Sequence, residues 1–176
     1  FGQQWVEAED RSGKAQGAFC ATFPVDGEVR VFTTFSGTMS GVTTLAHELG
    51  HAYHGWLMRE MRPAARVVPM TLAESASTLS EKVVESAALE RAEGSRRLDL
   101  LDQRLQRAVT FLLDIPARFD LEVEMYRLRR EGRLEPGQLT SLTRNAFRAR
   151  FGDRVASFDD YFWASKLHYY MTRAPF

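Results

Sequence analysis

The sequence has a single cysteine, Cys20, among 176 residues, so it forms no internal disulfide and builds no zinc site from several thiolates. A reducing compartment suits such a chain. Neither sign of charge is in excess: 23 Lys and Arg balance 23 Asp and Glu, which removes the electrostatic footprint of a nucleic-acid or anionic-membrane binder. The densest basic stretch, Arg127 to Arg133, falls where an apolar periodic segment runs out, and there cations complement a helix C-terminus. No apolar run approaches the roughly 20 residues that span a bilayer, and no charged segment followed by an apolar one opens the chain. The expectation is a soluble, cytoplasmic protein without nucleic-acid or membrane partners. Internal repeats and low-complexity tracts are missing as well, which argues against solenoids and linkers.

What is present fits one compact domain over residues 1–176, with 44% hydrophobic residues to supply a core. The chain opens on Phe1 and closes on Ala174-Pro175-Phe176, which reads as a piece cut at both ends from a longer polypeptide. Apolar surface laid bare by such cuts would favour self-association. The β signal is confined to the opening: Ala18 to Phe23 and Val29 to Phe35 are rich in aromatic and β-branched residues, with turn chemistry at Pro24-Val25-Asp26-Gly27 between them. Residues 1–37 are thus the β-rich part and 38–176 the helical part. Helices are predicted over Ser40 to Arg62 with Ser40 as N-cap and Pro63 as stop, then Leu72 to Ala92, then Ser95 to Glu131 with an interruption at Pro116. Shorter ones are predicted over Gln138 to Phe151 and Phe158 to Met171. The fold class is mainly α with a small β element.

The chemistry lies in the first of these helices. Residues 47–51 read His-Glu-Leu-Gly-His, and four residues are about one helical turn, so both imidazoles converge on one metal with Glu48 beside them. Leu45, Leu49, Ala52 and Trp56 cluster within about 40° of the point opposite His47, a separate apolar face for the core. The second helix repeats the plan: Leu72, Ala76, Leu79, Val83 and Ala87 lie opposite Glu74, and Glu81 and Glu85 share the Glu74 side. If both helices bury their apolar stripes, their polar faces meet, and two histidines with a carboxylate from Glu74 or Glu81 form a three-ligand site open at a fourth position. An open position marks catalysis, and one zinc per chain with Glu48 as general base makes peptide hydrolysis the natural chemistry. Ser77 and Glu81 are candidates for orienting a ligand histidine through its other ring nitrogen. His54 lies about 10 Å along the axis from His47, too far for a shared metal. The same ligand set also suits a non-haem iron oxygenase, and a metal-binding or scaffolding fragment without turnover is the non-enzymatic alternative.

Further blocks carry a resemblance. Trp5-Val6-Glu7-Ala8-Glu9-Asp10 with Gly13-Lys14, Gly17-Ala18-Phe19-Cys20, Leu45 to Ala52, Ala73-Glu74-Ser75-Ala76-Ser77-Thr78, Asp114 to Phe119 and Trp163 to Tyr170 occur in the order found in the catalytic region of the oligoendopeptidase F family, relatives of thimet oligopeptidase. The chain resembles that region over nearly its whole length. The resemblance implies a zincin-like catalytic domain and a cytoplasmic zinc endopeptidase acting on oligopeptides in an enclosed cleft. It also implies His47, His51 and Glu74 as ligands, Glu48 as base and acid, and His168 as a contact to the substrate or its oxyanion. Tyr170 is implied as a substrate contact, and the strand ending near Phe35-Ser36-Gly37 as a cleft wall that pairs with substrate backbone. The family's chain continues into a Tyr-rich stretch that this sequence lacks, so the piece alone is expected to bind zinc and hydrolyse peptides poorly.

Overall fold

The computed structural model describes residues 4–23 and 25–170, and within these the side chains of Met70, Thr71, Leu167 and His168 are not described. The fold is mainly α with a small β element. Contacts divide the chain into two compact units, Phe1–Arg97 and Leu98–Phe176.

The first unit begins with a three-stranded sheet of β1 (Val6–Glu7), β2 (Ala18–Phe23) and β3 (Glu28–Thr33), in the order β1-β3-β2. β1 runs parallel to β3 and β2 antiparallel to it. Val29, Val31 and Thr33 of β3 are buried and alternate with half-buried residues, the period of a strand packed on one face. Gly27, at φ +67°, closes the turn between β2 and β3. The Lys14 ammonium ties the segment after β1 to the end of β3, donating to the carbonyls of Glu9 at 2.7 Å and Thr33 at 2.8 Å. A two-residue strand such as β1 leaves no periodic signature, which is why the sequence did not disclose it.

Helix α1 (Met39–Leu57) packs on β2, β3 and α2 (Met70–Arg91). Its N-cap is Thr38, whose hydroxyl accepts from the Gly41 N–H at 3.1 Å; Ser40, the expected cap, is already helical. The helix stops at Leu57, earlier than expected, because a 3-10 turn over Met58–Glu60 follows it. A second 3-10 turn, Pro63–Arg66, begins at the predicted stop.

Two glycines set the packing of α1. A Cβ on Gly55 would lie 3.2 Å from Thr22 Oγ1, so this turn rests closely on the sheet. A Cβ on Gly50 would lie 2.7 Å from Ala76 O, Ser77 Cα and Ser80 Oγ, two of them backbone atoms that cannot swing aside. Gly50 is therefore the crossing point of α1 and α2. Gly50→Ala is expected to push the helices apart at about 1–3 kcal/mol in stability, the usual range for overpacking. By contrast Gly137→Ala, with nothing within 4 Å of the new methyl, should be neutral to slightly stabilising. Thermal melts of the two variants test the contrast; equal melting temperatures would show that the crossing tolerates a methyl.

The crossing also corrects an expectation. The stripe of α2 opposite Glu74 is not buried: Leu72, Leu79 and Val83 are 57%, 65% and 62% exposed, whereas Ser77 and Glu81 on the polar side are buried. Trp56 of α1 is likewise exposed, with the Arg59 guanidinium over its ring. Close approach at Gly50 seats the Ala76-Ser77-Ser80 side of α2 on α1, and Leu79 and Val83 are left lining an open groove beside Leu45 and Leu49 of α1.

Helix α3 (Gly94–Val109) begins where Gly94, at φ +54°, reverses the chain, and it spans the division between the units. It passes through a π-helical turn, Thr110–Asp114, into α4 (Ile115–Arg129). Pro116 occupies the first turn of α4, where its missing N–H costs least. Helix α5 (Pro136–Phe151) starts two residues earlier than expected, because Glu135 and Gln138 form a reciprocal capping box with Pro136 at the first position. The predicted final helix is broken into α6 (Phe162–Ser165) and a 3-10 turn, Leu167–Tyr170; Met171 lies outside the described residues. Aromatic packing overrides helix propensity here, since Phe162 meets Phe147 edge-on at 5.1 Å and Tyr169 at 6.3 Å. Tyr169 joins Leu121, Met125 and Leu139 in the core of the second unit.

Candidate active site

On α1 the imidazoles of His47 and His51 stand one turn apart, ring centroids 4.8 Å from each other and planes at 83°. Helix α2 brings Glu74 to both: its Oε2 lies 3.1 Å from His47 Nε2 and 3.3 Å from His51 Nε2. One donor atom from each of the three residues falls within 4.8 Å of the others, a set able to hold a metal ion. Ser77, fully buried, donates its hydroxyl to Glu74 Oε2 at 2.7 Å. Glu81 is elsewhere: its Oε1 lies 2.6 Å from His47 Nδ1.

These contacts fit a cation. With Glu81 accepting from Nδ1–H, the neutral tautomer of His47 turns the bare Nε2 lone pair to Glu74 Oε2, and acceptor faces acceptor. A metal ion or a proton must lie between them. Donors of a tetrahedral zinc site, about 2.1 Å from the ion, are roughly 3.4 Å apart, close to the 3.1 and 3.3 Å found. Two imidazoles and a carboxylate are zinc's ordinary nitrogen and oxygen ligands.

Glu48 follows His47 on α1 and is only 7% exposed. Burial pushes its carboxyl above the usual carboxylate range, with the nearby Glu74 charge adding to the effect and His47 and His51 opposing it. A buried carboxyl of raised pKa holds a proton more readily than an exposed one. The thiol of Cys20, on β2, is pushed up to about 11 by burial and by the Glu48 carboxylate, so it is a neutral group there. No local motif places Cys20 beside Glu48; that neighbourhood depends on the packing of β2 against α1.

The strand expected to offer an open edge is not at an edge of the sheet. β3 is the middle strand, and the N–H of Phe35 just beyond it is already donated to Ala8 O at 3.1 Å. Among the described residues the sheet has two edges, β1 and β2, and β2 is the one whose Cys20 lies beside Glu48. Thr34 N–H donates to Gly17 O, so in the alternating antiparallel ladder Phe19, Ala21 and Phe23 bond to β3. Ala18, Cys20 and Thr22 then turn their backbone groups outward. Gly37, at φ +71°, bends the chain toward α1. Tyr170 belongs to the second unit, where its hydroxyl donates to Trp163 O at 2.9 Å. The side chain of His168 lies outside the described residues.

Known proteins are similar to this chain in sequence or in fold. Oligoendopeptidase F (chromosomal) of Lactococcus lactis subsp. cremoris is 31% identical over 107 residues, 60% of this chain and 18% of that protein. The group B oligopeptidase PepB of Streptococcus agalactiae is 27% identical over 97 residues, 54% of this chain and 16% of that protein. A crystal structure described as a "putative peptidase" from Chlamydophila abortus superposes with a TM-score of 0.73 at 25% identity, covering 97% of this chain and 29% of that one. The chain thus matches less than a fifth of the length of these curated relatives. The profile of peptidase family M3 matches residues 1–172, nearly the whole sequence. The chain belongs to peptidase family M3.

Proposed function

We propose that this chain carries the active site of a zinc metalloendopeptidase that hydrolyses oligopeptides. The observation that carries the reading is the convergence of His47, His51 and Glu74 within 4.8 Å, with the buried Glu48 alongside. The three residues hold the metal. Zinc there supplies Lewis acidity, which polarises a peptide carbonyl and makes water a nucleophile near neutral pH. Glu48 takes the proton from the attacking water and returns it to the departing amine. Glu81 fixes the His47 ring through Nδ1, and Ser77 holds the Glu74 carboxylate, so the ligands are oriented in advance. The outward backbone groups of Ala18, Cys20 and Thr22 on β2 offer a peptide the hydrogen bonds of an added strand. Residues 1–37 thereby form one wall of the cleft. His168 and Tyr170 are proposed as substrate contacts, and a cytoplasmic location with them, on the family resemblance alone. Among the described residues no helix is long and apolar enough to cross a membrane.

The full natural chain should bind one zinc and cleave a quenched-fluorescent oligopeptide, lose that cleavage to a chelator and regain it with zinc. Stoichiometric zinc without cleavage would make it a binding module instead. Iron in place of zinc would favour the oxygenase reading.

A further inference from the structure

A cavity of about 280 Å³ adjoins the candidate metal site and shares His51 with it. Cys20 and Thr22 of β2 border it, as do His54 near the end of α1, Met58 of the 3-10 turn that follows, and Arg66 from the 3-10 turn before α2. Arg66 is the only permanently charged side chain among the described residues that line it. Its Nε donates to Met61 O at 2.8 Å, which holds the guanidinium plane and leaves both terminal amino groups without a carboxylate partner among the described residues. Arg66 is half-buried, and a half-buried planar cation at the wall of a cavity is the natural partner of a carboxylate.

The sheet edge supplies the register. A peptide added as a strand along β2 projects alternate side chains to one face, and the face it shares with Cys20 and Thr22 opens into this cavity. We infer that the cavity is a specificity subsite for an acidic side chain next to the cleaved bond, and that Arg66 selects it. The inference rests on the peptidase reading and names the substrate class for the same site. Glutamate has the reach to bring its carboxylate to the guanidinium; its isostere glutamine offers the same shape without the charge.

The test uses the zinc-loaded full natural chain and peptides that differ only in Glu, Gln or Lys at each position flanking the cleaved bond. At one position the Glu peptide should be cleaved with kcat/KM about tenfold above the Gln peptide, the size of a charge-assisted hydrogen bond in a partly solvated site. In Arg66→Met that ratio should fall to near one, Arg66→Lys should keep part of it, and Arg66→Glu should favour the Lys peptide. A merely structural Arg66 would lower cleavage of all three peptides alike, and that result, or equal cleavage of Glu and Gln peptides by the unaltered protein, overturns the inference. Fluorescence anisotropy with the zinc-loaded Glu48→Gln variant separates the two layers of the argument. A Glu-over-Gln binding preference without cleavage of any peptide by the unaltered protein would keep the subsite and sink the peptidase reading; neither preference nor cleavage would sink both.

Discussion

Glu48→Gln in the full natural chain is expected to bind zinc with unchanged stoichiometry and to hydrolyse peptides about 10²- to 10⁴-fold more slowly, the usual contribution of a positioned general base. The substitution keeps the size and shape of a side chain that is almost fully buried against α1's surroundings, so packing gives no reason for the helix to move. It removes the proposed proton acceptor, while His47, His51 and Glu74 keep their donor atoms. Since burial already raises the Glu48 carboxyl, a neutral amide at this position carries less desolvation penalty than the charge it replaces. The fold should be at least as stable. Steady-state cleavage measured beside elemental analysis decides the point: normal turnover would remove Glu48 from the mechanism, and loss of zinc would mean that its effect runs through the metal.

Glu74→Ala should weaken zinc binding by more than about 100-fold, beyond the roughly 10- to 100-fold typical of losing an outer partner, which is the range expected for Glu81→Ala. The ranking follows from geometry. Glu74 Oε2 faces both histidine Nε2 atoms, whereas Glu81 reaches only the far nitrogen of His47. The two carboxylates lie on the same side of α2 and differ by two helical turns, so a competitive zinc titration of both variants separates ligand from orienter. A larger loss in Glu81→Ala would exchange the roles. Ser77→Ala, which frees the Glu74 carboxylate from its hydroxyl donor, should fall in the milder range with Glu81→Ala.

The His-Glu-Leu-Gly-His run was legible because helical spacing is local: a four-residue interval fixes two imidazoles on one face whatever surrounds the helix. Glu74 and Glu81 were both visible as carboxylates on one side of the next helix, but the choice between them depends on where α1 crosses α2. That crossing is set at Gly50, whose missing side chain lets Ser77 and Ser80 approach. The apolar stripe of α2 misled for the same reason, since amphipathicity tells which faces differ and not which neighbour takes each. At the other end, Phe162 and Tyr169 were assigned to one long helix by pattern, and long-range aromatic contacts broke it.

The sequence by itself determined that His47 and His51 share one helix face with Glu48 beside them, the mainly helical class and the confinement of β structure to the opening residues. These rest on residue type and on periods of two and 3.6, which operate within a few residues. Only the tertiary structure decided that β3 is the middle strand and β2 an edge strand, that Glu81 meets His47 at Nδ1, that Cys20 lies beside Glu48, and that Arg66 borders a cavity next to His51. Each of these joins groups far apart in the chain, and their meeting depends on strand order and on the depth to which two helices can pack, quantities set by the close approach of whole elements and carried by no single segment.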